Sequence, residues 1–166
     1  MKTIKVEKLT QEAFAPFGAF ANLVNPDADK IGQEPVEFYR DMVQLHVSPE
    51  AMLSYSTTRC VPRPFIIDTL EFHSGCWEAN LPLDNDIILQ VAPASGKNDP
   101  LPLDKMRAFL IPQGTLFTIK AGIWHWGPFA MNGRVANVMV NLPERTYVND
   151  CTVVELAEED RIEITF

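Results

Sequence analysis

This chain is short of cysteine and histidine, of basic clusters and of long apolar runs, and each shortage closes off a class of protein. Its 166 residues include three cysteines, Cys60, Cys76 and Cys151, an odd number with no Cys-x-x-Cys spacing. That argues against a disulfide framework or a thiolate zinc site and agrees with a reducing compartment. Cys76 is expected to serve as a small buried apolar side chain. Lysine and arginine number 14 against 22 acidic residues, a net charge of −8, so no basic stripe faces a nucleic acid or an anionic membrane. No apolar run approaches the ~20 residues of a membrane span, and the opening MKTIKVEKLT lacks the apolar centre of a signal peptide. A cytoplasmic protein is the expectation, with neither membrane nor nucleic acid among its partners. Long amphipathic helical periods, low-complexity segments and internal repeats are absent as well.

What is present suffices for one domain spanning residues 1–166, since 46% hydrophobic content fills a single sizeable core. Thr10-Gln11-Glu12-Ala13-Phe14 combines an N-cap residue with acid in the first turn, and Pro16 and Gly18 limit any helix there to about two turns. Residues 25–35 (NPDADKIGQEP) read as a polar surface loop. Thereafter short runs of Val, Ile, Leu, Phe and Thr recur between turn signals: Met42–Val47, Met52–Thr57, Phe65–His73, Ile87–Ala92, Arg107–Ile111, Leu116–Ile119, Val135–Val140 and Thr152–Leu156. Asp84-Asn85-Asp86, Pro112-Gln113-Gly114 and Asn132-Gly133 are read as hairpin turns, the last being the strongest signal. Ala94–Asp104 is a longer loop, and the acidic run from Glu155 to Glu163 is read as a solvated face. The fold class expected is all-β with a minor peripheral helix: antiparallel strands in a sandwich or barrel, for which a jelly roll around a ligand cavity is a common solution.

Chemistry concentrates in Leu70–Glu78 and Gly122–His125. Glu71 and His73 are two apart in a strand-like run, so both side chains point to one face, as two ligands of one metal must. Glu78 follows within the same segment, and His125 comes after a glycine turn that could aim it inward. Carboxylates inside a barrel need pairing or a metal to offset their burial; the competing reading puts Glu71 and His73 on the solvent face with Leu70 and Phe72 in the core. Nitrogen and oxygen ligands without thiolate suit a divalent ion with open positions, and Ni, Mn, Fe, Co and Zn all fit. His46, without an acidic neighbour in register, is read as structural. Trp77, Trp124 and Trp126 either line a pocket near these residues or serve ordinary packing.

The pattern Glu71-x-His73-x4-Glu78 followed by Gly122-x-x-His125 resembles the two signature motifs of the cupin superfamily, with Glu71 in the place of the usual first histidine. More specifically the chain resembles the ureidoglycolate lyase family. The likeness runs over nearly its whole length: LTQEAFAPFG at the start, Leu70-Glu71-x-His73, Ala79-x-Leu81-Pro82, Arg107-Ala108-Phe109, Gly122-Ile123-Trp124-His125 and Asn149-Asp150-Cys151. The resemblance implies a cupin-type jelly-roll barrel, usually homodimeric, that splits ureidoglycolate into glyoxylate and urea. It also implies roles for Glu71, His73 and His125, with Trp124 as a pocket wall. Departures fall near the site: Phe72 replaces an arginine, Glu78 a glutamine, Ile119-Lys120-Ala121 a Tyr-His-Arg run, and Asn137 an aspartate.

On this reading Glu71, His73, His125 and Glu78 are the metal set. Glu78 is alternatively the general base, its pKa raised beside Trp77. Lys120 is a second catalytic candidate, and Arg59 with Trp77 and Trp124 would bind a small anionic substrate, although both cations could equally be surface residues. Two rivals stay open: another metal-dependent cupin enzyme acting on a hydroxy, keto or sugar acid, and a non-catalytic small-ligand-binding cupin.

Overall fold

Short β-rich runs broken by turn residues build nearly all of the protein; the computed structural model describes residues 1–96 and 98–166. In chain order the elements are β1 (Lys2–Lys8), α1 (Gln11–Phe14), β2 (Gly18–Asn22), β3 (Lys30–Gln33), β4 (Val36–Tyr39), β5 (Leu53–Cys60), β6 (Ile66–Ile67), β7 (Thr69–Phe72) and β8 (Glu78–Pro82). There follow β9 (Ile87–Ala92), β10 (Arg107–Ile111), β11 (Thr115–Ile119), β12 (Trp124–His125), β13 (Phe129–Ala130), β14 (Ala136–Pro143), α2 (Thr146–Asn149), β15 (Thr152–Glu155) and β16 (Ile162–Thr165). The smaller sheet has the order β2-β11-β8-β14-β5; the larger runs β15-β7-β12-β9-β10-β1-β16-β6, with β13 also on β9. Pairing is antiparallel except at β1, which lies parallel to both β10 and β16. The sheets curl together into a cupin-type jelly-roll barrel.

Strand alternation divides the apolar residues between two cores. Ile87, Leu89 and Val91 of β9 point into the barrel with Phe109, Ile111, Phe117 and Val138. Their neighbours Ile88 and Ala92 join Leu70, Trp124 and Ile162 on the outer face of the larger sheet. A strand covered on both faces reads as an unbroken apolar run, and β9 is buried at every position. Part of the interior is plugged from α1. Thr10 caps this single turn by accepting from the Ala13 N–H at 3.2 Å, and Phe14 projects inward, fully buried, edge-on to Phe109 at 5.4 Å between centroids. Arg107 ties the plug down by donating to the Ala13 carbonyl at 2.9 Å and to the Glu7 carboxylate. Gly18 is required beneath it, since a Cβ there would lie 1.7 Å from the Thr118 carbonyl oxygen.

Several expectations need correction. The segment 25–35 is not all loop: β3 and β4 form a ribbon, and β3, exposed throughout, carries no apolar alternation to reveal it. Met42–Val47 forms no strand; its apolar residues are half-buried, and its His46 carbonyl accepts from the Trp77 N–H at 3.2 Å. The three turn signals mark turns but not hairpins. Asp84–Asp86 joins β8 to β9, Pro112–Gly114 joins β10 to β11, and Asn132-Gly133 joins β13 to β14, each time linking different sheets. Side chains stabilise these corners: Asp84 accepts from the Asn137 backbone N–H at 2.8 Å, and Asn85 donates to the carbonyls of Met131 and Arg134. Glu158, Glu159 and Asp160 do face solvent, but Ile162 and Ile164 just beyond are buried in β16. Lys97, within the expected loop Ala94–Asp104, lies outside the described residues.

Candidate metal centre

Leu70 and Phe72 of β7 face the outer core, Phe72 packing edge-on to Trp124 at 4.6 Å. Strand alternation then turns Glu71 and, just past the strand, His73 toward the barrel interior. His125 of β12 pairs directly with Glu71. Gly122, at φ +80°, makes the preceding turn, and its N–H donates to the His73 carbonyl at 2.7 Å. The two sequence motifs are thus hydrogen-bonded to each other. Glu78 enters from the facing sheet as the first residue of β8.

Ligand atoms of Glu71, His73 and His125 lie within 4.8 Å of one another. Two N or O ligands on opposite sides of one ion are separated by about 4.0–4.4 Å, twice a bond of that kind, so slight side-chain adjustment closes the set. Glu78 Oε2 is 3.2 Å from His73 Nε2 and 3.4 Å from His125 Nε2, and Glu71 Oε1 is 3.9 Å from the latter. The contact with His125 lacks hydrogen-bond alignment, so that buried Nε2 has no hydrogen-bond partner among the described residues. The other imidazole nitrogens are committed: His73 Nδ1 is 2.7 Å from the Asp150 carbonyl oxygen and His125 Nδ1 is 2.8 Å from that of Ile123. Each Nδ1 therefore carries the proton when the ring is neutral, and each Nε2 lone pair faces the cavity. The carboxylates follow the same scheme. Asn80 Nδ2 donates to Glu78 Oε1 at 2.8 Å, and the Cys151 thiol donates to Glu71 Oε2 at 3.2 Å.

Burial opposes charge throughout the cluster, yet the charges prevail by pairing. Desolvation would raise the Glu78 pKa, but the two imidazoles and the Asn80 amide outweigh it and hold the carboxyl well below the usual carboxylate range. In turn the Glu78 carboxylate and the Asp150 and Ile123 carbonyls overcome desolvation and raise the pKa values of His73 and His125. The Cys151 thiol is pushed up to about 12 by burial and by the adjacent Glu71 carboxylate, which keeps it protonated as a donor. A cluster with two carboxylates and two inward imidazole nitrogens, one of them orphaned, has the donor set of a divalent cation site.

These residues line a cavity of about 140 Å³, bounded also by Thr58, Leu89, Phe117, Trp126 and Tyr147. Glu71, Thr58 and Trp126 are shared with an adjoining open groove that holds Arg59 and Arg63. Arg63 donates to the Gly127 carbonyl at 2.9 Å and Gln90 to that of Trp126 at 3.0 Å, fixing the loop after His125. The structure brings Glu71, His73, Glu78 and His125 together and sets Arg59 at the groove. It does not bring Trp77, Trp124 or Lys120 into the cavity. Trp124 lies on the opposite face of β12, its indole N–H donating to Ser95 Oγ. Trp77 stacks on exposed His46 at 4.3 Å, and Lys120 donates to the Ala15 carbonyl at 2.6 Å beside that indole. The expected rise in the Glu78 pKa beside Trp77 is likewise reversed, because imidazoles rather than indole surround the carboxylate. Asn80, Asp150 and Cys151 were not among the site residues expected from the sequence; the signals present were the i, i+2 spacing of Asn80 from Glu78 and the Asn149-Asp150-Cys151 segment of the family resemblance.

A jelly-roll barrel with an inward His/Glu cluster defines a cupin. A similar fold occurs in a dTDP sugar isomerase from Desulfovibrio desulfuricans G20, with a TM-score of 0.51, 13% identity, and coverage of 87% of this chain and 89% of that one. The chain itself belongs to the ureidoglycolate lyase family, whose model matches residues 1–163. A relative named ureidoglycolate lyase from Burkholderia mallei (strain NCTC 10229) is 30% identical over 167 residues, covering 90% of this chain and 95% of that one. Another of the same name, from Pseudomonas aeruginosa (strain LESB58), is 32% identical over 129 residues, covering 75% of each.

Proposed function

We propose that this protein cleaves ureidoglycolate to glyoxylate and urea, using a divalent metal held by Glu71, His73, His125 and Glu78. The observation that carries this reading is the orphaned, buried His125 Nε2 aimed into a carboxylate-bearing cavity in a chain of this family. When bound, the ion would supply Lewis-acid stabilisation of charge developing on the substrate oxygens. Glu78, whose Oε2 lies 3.2 and 3.4 Å from the two imidazole Nε2 atoms, serves as ligand rather than proton acceptor. The cavity accommodates a molecule of a few carbon atoms, and Arg59 at the groove meets its carboxylate. Trp126 and Tyr147 contribute to the cavity wall. In the reaction the C–N bond breaks, the hydroxyl loses its proton as the aldehyde forms, and the departing urea nitrogen gains one.

The protein is further proposed to be cytoplasmic, since its three scattered cysteines fit a reducing compartment, and homodimeric, since among the described residues β5 ends the smaller sheet as an edge carrying exposed Leu53 and Tyr55. A second reading, another metal-dependent cupin enzyme acting on a small hydroxy, keto or sugar acid, is favoured by Glu78 itself, a carboxylate where the family pattern has glutamine. The deciding experiment strips the protein with chelator, reloads it with Mn²⁺, Ni²⁺, Co²⁺, Fe²⁺ or Zn²⁺, and supplies ureidoglycolate. Metal-dependent release of glyoxylate and urea in equal amounts is expected. Turnover only of another acid establishes the second reading, and failure to bind any metal leaves a non-catalytic binding protein.

A further inference from the structure

The proposed ligands account for the centre of the cavity but leave unused the short segment that holds two of them in place. Asp150 and Cys151 lie between α2 and β15, and β15 pairs along β7 with Val153 opposite Glu71. The Asp150 carbonyl lies 2.7 Å from His73 Nδ1. Its carboxylate accepts from the Ser74 and Gly75 backbone N–H groups at 2.9 and 2.7 Å and from the Ser74 hydroxyl at 2.7 Å. One residue on, Cys151 Sγ reaches Glu71 Oε2 at 3.2 Å from the cavity wall.

We propose that Cys151 is a positioning residue of the metal centre: its thiol occupies one oxygen of Glu71, so that only Oε1 is presented to the ion. The inference rests on the metal reading of the preceding subsection and deepens it. The four proposed ligands each have one polar atom engaged outside the centre, by Asp150, Ile123, Asn80 and Cys151. Without its thiol partner Glu71 is the ligand free to rotate, or to present both oxygens and occupy a position the substrate needs. Such outer partners typically contribute ~10–100-fold to metal affinity. Cys151 and Asp150 are adjacent, so one backbone segment sets the orientation of a ligand on β7 and of the imidazole that follows it.

The test compares wild-type protein with Cys151→Ala and Cys151→Ser by Co²⁺ titration, following the visible absorption of the bound ion. Cys151→Ala is expected to weaken Co²⁺ binding by about 10–100-fold and to alter the spectrum, whereas Cys151→Ser, which keeps a donor, recovers most of the affinity. In metal-free protein the Cys151 S–H stretching band, isolated as the infrared difference from Cys151→Ala, should lie at the low frequency of a hydrogen-bonded thiol and rise in Glu71→Ala. Co²⁺ binding by Cys151→Ala as tight as wild type overturns the inference while leaving the metal reading intact. So does a thiolate-to-cobalt charge-transfer band in wild type, which would make Cys151 a ligand, and so does a free-thiol S–H frequency. Absence of Co²⁺ binding by wild type, with the shifted S–H band present, overturns the metal reading itself and the positioning role with it.

Discussion

Replacing Glu78 by glutamine separates the two roles a carboxylate can play at this position. Glu78 Oε2 lies 3.2 and 3.4 Å from the two imidazole Nε2 atoms, and Oε1 is held by Asn80. Removing one partner of a buried ion pair costs about 3–5 kcal/mol. Glu71 remains as a second carboxylate, so the lower end applies, and ~3 kcal/mol is about a hundredfold in Kd. Glu78→Gln should therefore bind Mn²⁺ or Ni²⁺ about a hundredfold more weakly by isothermal titration calorimetry, yet retain turnover when metal is saturating. If the carboxylate were instead the general base, metal affinity would hold and the rate would fall ~10²–10⁴-fold. Equal metal affinity in the two proteins would refute the ligand reasoning, and a collapsed rate at saturating metal would establish the base. The geometry favours the first outcome, since an ion held by the two Nε2 atoms also lies within reach of Glu78 Oε2.

Further outcomes follow from other parts of the fold. Phe14→Ala should lower unfolding stability in urea by about 3–5 kcal/mol, and a loss below ~1 kcal/mol would deny Phe14 its role as the interior plug. The Arg107 guanidinium hydrogen-bonds Glu7 and, against partial burial, holds its carboxyl below the ordinary value. A depressed folded-state pKa contributes stability above the unfolded carboxylate pKa and loses it as pH falls through the folded one. Wild type should accordingly exceed Glu7→Gln by at most ~1 kcal/mol at neutral pH, solvent exposure screening the pair, and the difference should vanish in acid; a gap that widens in acid reverses the sign and defeats the argument. Arg59→Ala should raise KM for an anionic substrate about tenfold with kcat little changed, unless Arg59 is only a surface cation. Light scattering should return twice the 18.7 kDa chain mass, and a monomer mass rejects the dimer.

Where the sequence was informative, one physical rule sufficed. Ile87–Ala92 and Arg107–Ile111 were bounded correctly because their apolar residues are buried and few polar ones interrupt them. The capped turn at Thr10 was legible because the cap is local. β12 and β13, two residues each, are too short to display a period, and β16 was hidden among glutamates because only Ile162 and Ile164 are buried. The turns show a different failure. Asn132-Gly133 supplies the paired left-handed conformations that a tight reversal needs, but local geometry says nothing of which sheet receives the next strand. That choice follows from burial on both sides of the barrel, a property of the assembled core.

The candidate site divides in the same way. Glu71 and His73 could be read because strand periodicity places i and i+2 on one face, and His125 because Gly122 announces a turn before it. Trp124 was expected as a pocket wall from the family resemblance, whereas strand alternation turns it to the outer core once His125 faces the cavity, and there it lies. Lys120 was drawn in by sequence proximity to His125, although the turn at Gly122 intervenes and its ammonium is engaged by the Ala15 carbonyl. The outer partners were beyond reach for a different reason. Asp150 lies 77 residues from His73, and Cys151 lies 80 from Glu71; only the β15–β7 pairing brings them together. Directing a ligand takes a second hydrogen-bonding group beyond it, and in a barrel that group comes from whichever strand lies alongside. Chemistry-bearing residues can thus be nominated from spacing, whereas the residues that aim them emerge only once the sheet order is known.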